Sequence, residues 1–300
     1  MDKILTYTIQ EEQEGMLLLD FLRSEGFSRG ILSSMKPDKN AIQLNGVRGF
    51  GKSVLHAKDQ LRIHIPETDS NDHILPVKMD LHILYEDEDI LVVNKAADMP
   101  VHPSVGNYDN TLANGVAWYF KEKGQSFVYR CINRLDRDTT GALILAKNPY
   151  SAAVLSTQMK QRQIRRTYLA IVQGIPPDRG TIDAPIGRAA DSTIERQVDF
   201  INGEKAVTHY ERLDTANGVS LIELHLETGR THQIRVHMKH LGYPLPGDFL
   251  YNPDYRIINR QPLHSFQLEF THPVTRKQMC ILAPVPEDFR SAFTTGGILV

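Results

Sequence analysis

The run Ala142 to Ala146 (ALILA), with Gly141 before it and Asn148-Pro149 after it, limits what this chain can fold into more than any other stretch. An apolar run without alternation reads as a strand buried on both faces, so packed layers must lie above and below it. Gly141 suits a close backbone approach at its start. Asn148 can cap a helix beginning at Pro149, where a missing N–H costs nothing. Ala152, Leu155 and Met159 would mark that helix's buried face, leaving Lys160 and Arg162 outside. The lead-in to the strand is of another kind. Arg134, Asp136, Arg137 and Asp138 alternate in sign just ahead of buried backbone, so they must pair, face a cleft or be solvated at an edge. The residues alone leave a structural ion pair and a functional carboxylate equally open.

Further patterning fills in the frame. Tyr168, Ala170 and Val172 alternate with Leu169 and Ile171 along one strand, and Ile222, Leu224 and Leu226 alternate with Glu223, His225 and Glu227 along another. A turn at Thr228 to Arg230 follows. Thr231 is then expected to cap a helix with Ile234, Met238 and Leu241 on its apolar face, ended by Gly242 and Pro244. His232, Arg235 and Lys239 fall on the other side, near a helix N-terminus that favours an anion. Upstream, a helix starting at Leu17 to Leu22 ends at Gly26, and Ser28 caps a second helix carrying Ile31, Leu32 and Met35. Ile42 and Leu44, the Asn45-Gly46 turn, and Leu61, Ile63 and Ile65 complete a small sheet. Pro66 to Lys78, rich in Pro, Ser, Asp and Asn, reads as a linker.

Composition narrows the function classes. A length of 300 residues suits one large domain and a small one. A formal net charge of -2 argues against a protein that coats nucleic acid indiscriminately. Local clusters matter more: Lys160, Arg162, Arg165 and Arg166, then Arg230, Arg235 and Lys239, fit a nucleic-acid face or plain solvated helix surface. No signal-like start and no long apolar segment occur, so a cytoplasmic protein without membrane contact is expected. Cys131 and Cys280 are expected to be reduced, buried thiols. His232 and His237 are five residues apart and do not share a helix face, and nothing completes a site around His237 and His240. No metal and no cofactor are expected, and no phosphate-binding loop, dinucleotide fingerprint or nucleophile elbow is present.

Four segments, in order, resemble the RluA-type pseudouridine synthases. INRLDRDTTG, Ile132 to Gly141, is similar to the family's H-R-L-D-x-x-T-S-G, with Asn133 in place of His and Thr140 in place of Ser. Tyr85 to Pro103 is similar to its Y-E-D-x-x-L-x-V-x-N-K-P-x-G-x-x-V-H-P, with Ala96 and Asp98 departing from Pro and Gly. Arg165 to Gly174 resembles K-x-Y-x-A-x-V-x-G, and Glu227 to Asp248 contains T-G-R-T-H-Q-I-R-x-H. More loosely, Leu19-Asp20, Ser28-Arg29 and QLNG at Gln43 to Gly46 resemble the S4-like RNA-binding module found ahead of such domains. Arg23, Arg29, Lys36, Lys39, Arg48 and Lys52 would supply its phosphate contacts.

The resemblance implies an α+β protein: an S4-like domain at 1–70, a linker at 71–78, and at 79–295 a catalytic domain on a mixed, mainly antiparallel sheet with flanking helices. It implies isomerisation of uridine in structured RNA, ribosomal RNA of the large subunit first and transfer RNA second, with no obligatory protein partner. Asp136 would be the essential carboxylate, acting at ribose C1′ much as a glycosidase carboxylate does. Arg235 would pair with it and aim it. Tyr168 would stack on the base and accept the C5 proton. Arg134 would fill the gap left by the extruded nucleotide. Asn133, Lys95, His102, Arg166, Arg230, His232, Leu263 and His264 would bind substrate or support the pocket. The route, whether through a ribose ester, attack on the base or a glycal, stays open. Two rivals are a non-catalytic RNA-binding assembly protein and a hydrolase pairing Asp136 with Asp138.

Overall fold

The computed structural model describes residues 1–71 and 73–292. Its N-terminal unit is a four-stranded sheet of β1 (Lys3–Thr8), β2 (Ile42–Leu44), β3 (Val47–Arg48) and β4 (Gln60–Ile65), packed under α1 (Leu18–Ser24) and α2 (Arg29–Ser34). Local signals act as expected. The Ser28 hydroxyl accepts the Ile31 N–H at 3.2 Å, and Asn45 and Gly46 take φ of 53° and 81° in the hairpin turn. Strand β1 was not legible in the sequence. It pairs with β4 from Lys3↔Ile65 to Thr8↔Gln60, and its alternation is blurred by Ile4, which is left exposed.

The larger unit follows in chain order with β5 (His82–Glu86), β6 (Ile90–Lys95), α3 (Leu112–Glu122), β7 (Thr140–Ala146), α4 (Pro149–Lys160), β8 (Arg165–Gln173) and β9 (Arg179–Asp183). A hairpin of β10 (Ile186–Arg188) and β11 (Arg196–Val198) precedes β12 (Val207–Ala216), β13 (Val219–Leu226) and α5 (Gln233–His240). The remaining elements are β14 (Leu263–Thr271), β15 (Gln278–Leu282) and α6 (Glu287–Ala292). One sheet of nine strands runs β5-β6-β7-β14-β8-β13-β12-β9, with β15 paired to β14. β7 and β14 are parallel, and the other pairs of this sheet are antiparallel, so the fold is α+β with a mixed, mainly antiparallel sheet.

The sheet is covered on both faces, as ALILA requires. Leu143 and Leu145 pack in the cluster of Val116 and Phe120 from α3 and Ile234 and Met238 from α5. Ala142, Ile144 and Ala146 pack oppositely, with Leu155 of α4 and Leu268 of β14. Each of the larger of these side chains, leucine, isoleucine or valine, contributes about 1.5–3 kcal/mol by burial. Gly141 is where β7 meets β14. Its φ is 107°, and a Cβ there would stand 2.2 Å from the Ser265 carbonyl oxygen, so a side chain would break the parallel pair.

Helix α4 starts as its sequence indicates. Asn148 Oδ1 accepts the Ser151 N–H at 2.9 Å, and Pro149 occupies the first turn. It has more than one buried face, however. Tyr150 and Val154 enter the core of the N-terminal unit, and the Tyr150 hydroxyl donates to the Glu25 carbonyl at 2.7 Å. The segment read as a linker lacks regular structure but is tied down. Arg130 grips Glu67 with two hydrogen bonds, Asn71 donates to the Phe127 carbonyl at 2.9 Å, and Ile74 is buried. The expectation of two buried thiols is corrected at Cys280, which is exposed on an edge strand. Burial pushes the Cys131 thiol up to about 12. Among the described residues, no helix is long and apolar enough to cross a membrane.

Candidate active site

Asp136 sits in the turn that feeds β7, where the Thr139 N–H bonds to its carbonyl at 3.2 Å. Its carboxylate is about a quarter exposed and meets Arg235 of α5, Nη1 lying 3.0 Å from Oδ2. Arg235 is buried inside the fold rather than standing on the outer side of its helix. Asp248, which is wholly buried, holds the other edge of that guanidinium, receiving Nε and Nη2 at 2.7 Å each. Desolvation works against the charge on Arg235, but the two carboxylates outweigh it and raise the guanidinium above its ordinary value. A planar fork gripped on one edge cannot swing, so its remaining nitrogen is aimed at Asp136.

Tyr251 supports the same group. Its ring lies under Arg235, 4.9 Å from the guanidinium carbon, and under the Lys239 ammonium at 5.4 Å. Its hydroxyl accepts the Arg196 N–H at 2.9 Å and so donates to His232 Nδ1 at 2.9 Å. Burial lowers His232 below its ordinary value, against the pull of Asp136. The helix start differs from expectation. His232, with φ of 58°, precedes the first turn, and Thr231 makes no cap. Gln233 instead ties the turn together, its Oε1 receiving Thr228 Oγ1 at 2.8 Å and the Arg230 N–H at 3.0 Å.

Asp136 opens into a cleft of about 910 Å³. Tyr168, Asn133, Arg134, Lys160, Arg162, Arg165, Arg166 and Arg230 line it, so the cleft is strongly cationic although the chain is not. A smaller depression beside it adds His232, Arg235 and Leu263. Tyr168 is buried on β8, opposite Ser265 of β14 and Leu224 of β13. Burial raises its phenol, while Arg166 pulls it down. Arg166 itself donates to the Thr228 carbonyl at 3.4 Å and keeps a buried Nε without a partner. Arg230 is held by Glu204 and by the Lys205 carbonyl.

Several other expected site residues are engaged by the protein itself. Lys95 is buried and donates to the carbonyls of Ala96, Met99 and Arg137 at 2.7–2.8 Å; burial pushes it down to about 7. It braces the Asp136 turn from behind. His264 is buried between Thr140 Oγ1 at 2.8 Å and the Ala283 carbonyl at 3.3 Å, and burial pushes it down to about 4. Asn133 borders the cleft, but its amide is spent on β7, accepting the Ile144 N–H at 2.8 Å and donating to the Ala142 carbonyl at 3.3 Å. His102 lines a separate depression with Tyr129, Thr68, Asn71 and Ile74. Lys95, His264 and Asn133 thus have their polar atoms bonded within the protein. Asp138 accepts the Asp98 N–H, and Asp98 itself pairs with Arg137.

Asp87, Asp89 and His272 approach closely enough to suggest a metal. Their donors are already spent. His272 Nδ1 accepts the Val274 and Thr275 N–H groups, which leaves Nε2 to donate to Asp87, while Asp89 takes Lys3 and Asn148.

Comparison with known proteins decides between the readings of this cleft. The RNA pseudouridylate synthase family model matches residues 89–240. A Bacillus subtilis protein named uncharacterized RNA pseudouridine synthase YjbO is 39% identical over 274 residues, covering 91% of this chain and 96% of that one. The chain belongs to the RluA-type family of RNA pseudouridylate synthases. The ribosomal large subunit pseudouridine synthase D of Zymomonas mobilis is 41% identical over 238 residues, 74% of each chain. The solved structure of human RNA pseudouridylate synthase domain containing 1 aligns with a TM-score of 0.58 at 30% identity, covering 68% of this chain and 83% of that one. The enzyme is thus an RNA pseudouridine synthase. Asp248 and Tyr251 were missed in the sequence. Asp248 ends the fourth family-like segment, and its charge next to Gly247 in an otherwise apolar stretch was the available signal.

Proposed function

We propose that this synthase isomerises uridines of large-subunit ribosomal RNA, with Asp136 acting at ribose C1′. The observation that carries the reading is the 3.0 Å contact from Arg235 to Asp136 at the mouth of a cleft shared with Tyr168. Oriented by Arg235, the carboxylate meets C1′ as the bond to uracil N1 breaks and its electron pair stays on the base. The uracil turns, C5 bonds to C1′ and releases the carboxylate with its electron pair, the C5 proton leaves and N1 gains one. No atom is gained or lost, so no co-reactant is needed.

Tyr168 stacks on the uracil. Burial on balance raises the phenol, Arg166 beside it offsets part of that rise, and in its ionised form the group would accept the C5 proton. The unpartnered Arg166 Nε is a donor that a phosphate or base oxygen completes. Arg134, exposed at the rim, occupies the place of the extruded nucleotide. Residues 1–70 serve as an S4-like docking domain and 79–295 as the catalytic domain. The relatives named for the large ribosomal subunit favour that RNA as substrate.

The test is tritium release from RNA labelled at uridine C5, comparing the wild type with Asp136→Asn on ribosomal and transfer RNA. Release from ribosomal RNA by the wild type alone is expected. Release by Asp136→Asn at the wild-type rate would overturn the role of Asp136, and release from transfer RNA alone would move the substrate.

A further inference from the structure

His232 stands in the smaller depression beside Asp136, in a left-handed backbone conformation that a histidine seldom takes, with φ of 58° and ψ of 19°. Its Nδ1 meets the Tyr251 hydroxyl at 2.9 Å. That hydroxyl already accepts the Arg196 N–H of β11, so its one proton goes to Nδ1, and the neutral imidazole carries its own proton on Nε2. Among the described residues, Nε2 has no hydrogen-bond partner, and it is not sealed inside the protein.

Neighbouring donors around this depression are engaged elsewhere. Arg235 turns its nitrogens to Asp248 and Asp136, Arg230 is held by Glu204 and the Lys205 carbonyl, and the Gln233 amide donates to Val207 and Thr208. His232 keeps a free N–H. Around its ring, Asp136 and Asp248 favour a second proton, Arg235 of α5 and Arg196 of β11 oppose one, and burial holds the group below its ordinary value. A neutral imidazole can donate a hydrogen bond without competing with Arg235 for Asp136. As the bond from C1′ to N1 breaks, the electron pair left on the uracil spreads over N1, O2 and O4. A fixed donor lowers the barrier most where it meets charge that grows in the transition state.

We propose that His232 is a further catalytic residue, whose Nε2–H donates a hydrogen bond to a carbonyl oxygen of the departing uracil, and that Tyr251 is the residue that positions it. No proton is transferred in this contact. The bond to C1′ breaks, its electron pair stays on the uracil, and the imidazole keeps its hydrogen. Through the Arg196 N–H, Tyr251 also ties the β10–β11 hairpin to the chemistry at Asp136. The proposal rests on the reading that Asp136 acts at C1′.

The test uses the full chain and reads kcat and KM for tritium release from ribosomal RNA across a range of pH. His232→Ala is expected to lower kcat on the order of 100-fold with KM little changed, and His232→Gln, which returns an N–H near the same place, to recover part of the loss. Tyr251→Phe keeps the ring under Arg235 and Lys239 but no longer donates to Nδ1, which frees that nitrogen to take a proton. The acid limb of kcat should then move to higher pH, and the move should vanish in Tyr251→Phe/His232→Gln, which has no imidazole there. A wild-type kcat in His232→Ala, a loss that His232→Gln does not relieve, or an unmoved acid limb in Tyr251→Phe would overturn the proposal. Asp136→Asn, assayed alongside, reports the underlying reading by itself. Release by that variant at the wild-type rate sinks the role of Asp136, whereas an inactive Asp136→Asn beside an unimpaired His232→Ala sinks only the role of His232.

Discussion

A carboxylate at the edge of a cleft is held in place by a buried arginine that has a second buried carboxylate behind it. Asp248 touches nothing in the cleft, so its effect passes through Arg235. Asp248→Asn should lower kcat about 10–100-fold, because a hydrogen bond to a charged group is worth about 1.5–3 kcal/mol. KM should change little, and single-turnover tritium release at saturating RNA checks the split. An equal loss in KM would mean that Asp248 shapes RNA binding instead. Asp136, Tyr168 and Arg235 were legible as residues because the family-like segments place them in order. Asp248 and Tyr251 were not, since nothing local in a sequence says which distant side chain a carboxylate or ring will touch. The partners of Lys95 and His264 were not legible for the same reason: burial and partners depend on strands far apart in the chain.

At the level of elements, the junction of β7 and β14 positions the Asp136 turn, and two predictions belong to it. Gly141→Ala places a methyl group 2.2 Å from the Ser265 carbonyl oxygen at a φ that disfavours any side chain. The variant should lose several kcal/mol of stability, of the order of the largest single-site effects, as read by urea unfolding. His264, at the same junction, sits neutral at about 4, below its unfolded value near 6.5. The unfolded chain therefore binds more protons between these values. Stability from this group is complete above pH 6.5 and is lost as pH falls toward 4, by an amount on the order of 3 kcal/mol. Unfolding midpoints for the wild type and His264→Gln should converge as pH drops from 7 to 4.5; parallel curves would refute the assignment. Helix starts at Ser28 and Asn148 were readable because a cap is a local bargain between neighbouring residues. The start of α5 was not, because Gln233 of that helix reaches across to Val207 and Thr208 of β12.

Across the whole molecule, the N-terminal unit and the larger unit share a core through α4. Tyr150 and Val154 are buried among residues of α1, α2 and β4, and Lys3 reaches Asp89 at 2.7 Å. Removing residues 1–66 would uncover that apolar surface and leave Asp89 without its cation. The shortened protein should melt several degrees lower and tend to aggregate, and calorimetry of both forms checks this. A separate, earlier transition in the intact enzyme would show that the units unfold independently. The sequence by itself determined the α+β class, the doubly buried strand, the capped helices and the family-like segments, because periodicity, caps and motif order are properties of neighbours along the chain. Only the tertiary structure decided strand order, the parallel pairing of β7 with β14 and the second carboxylate behind Arg235. Those depend on which distant surfaces meet, and burial, pairing and exposure exist only once they have met.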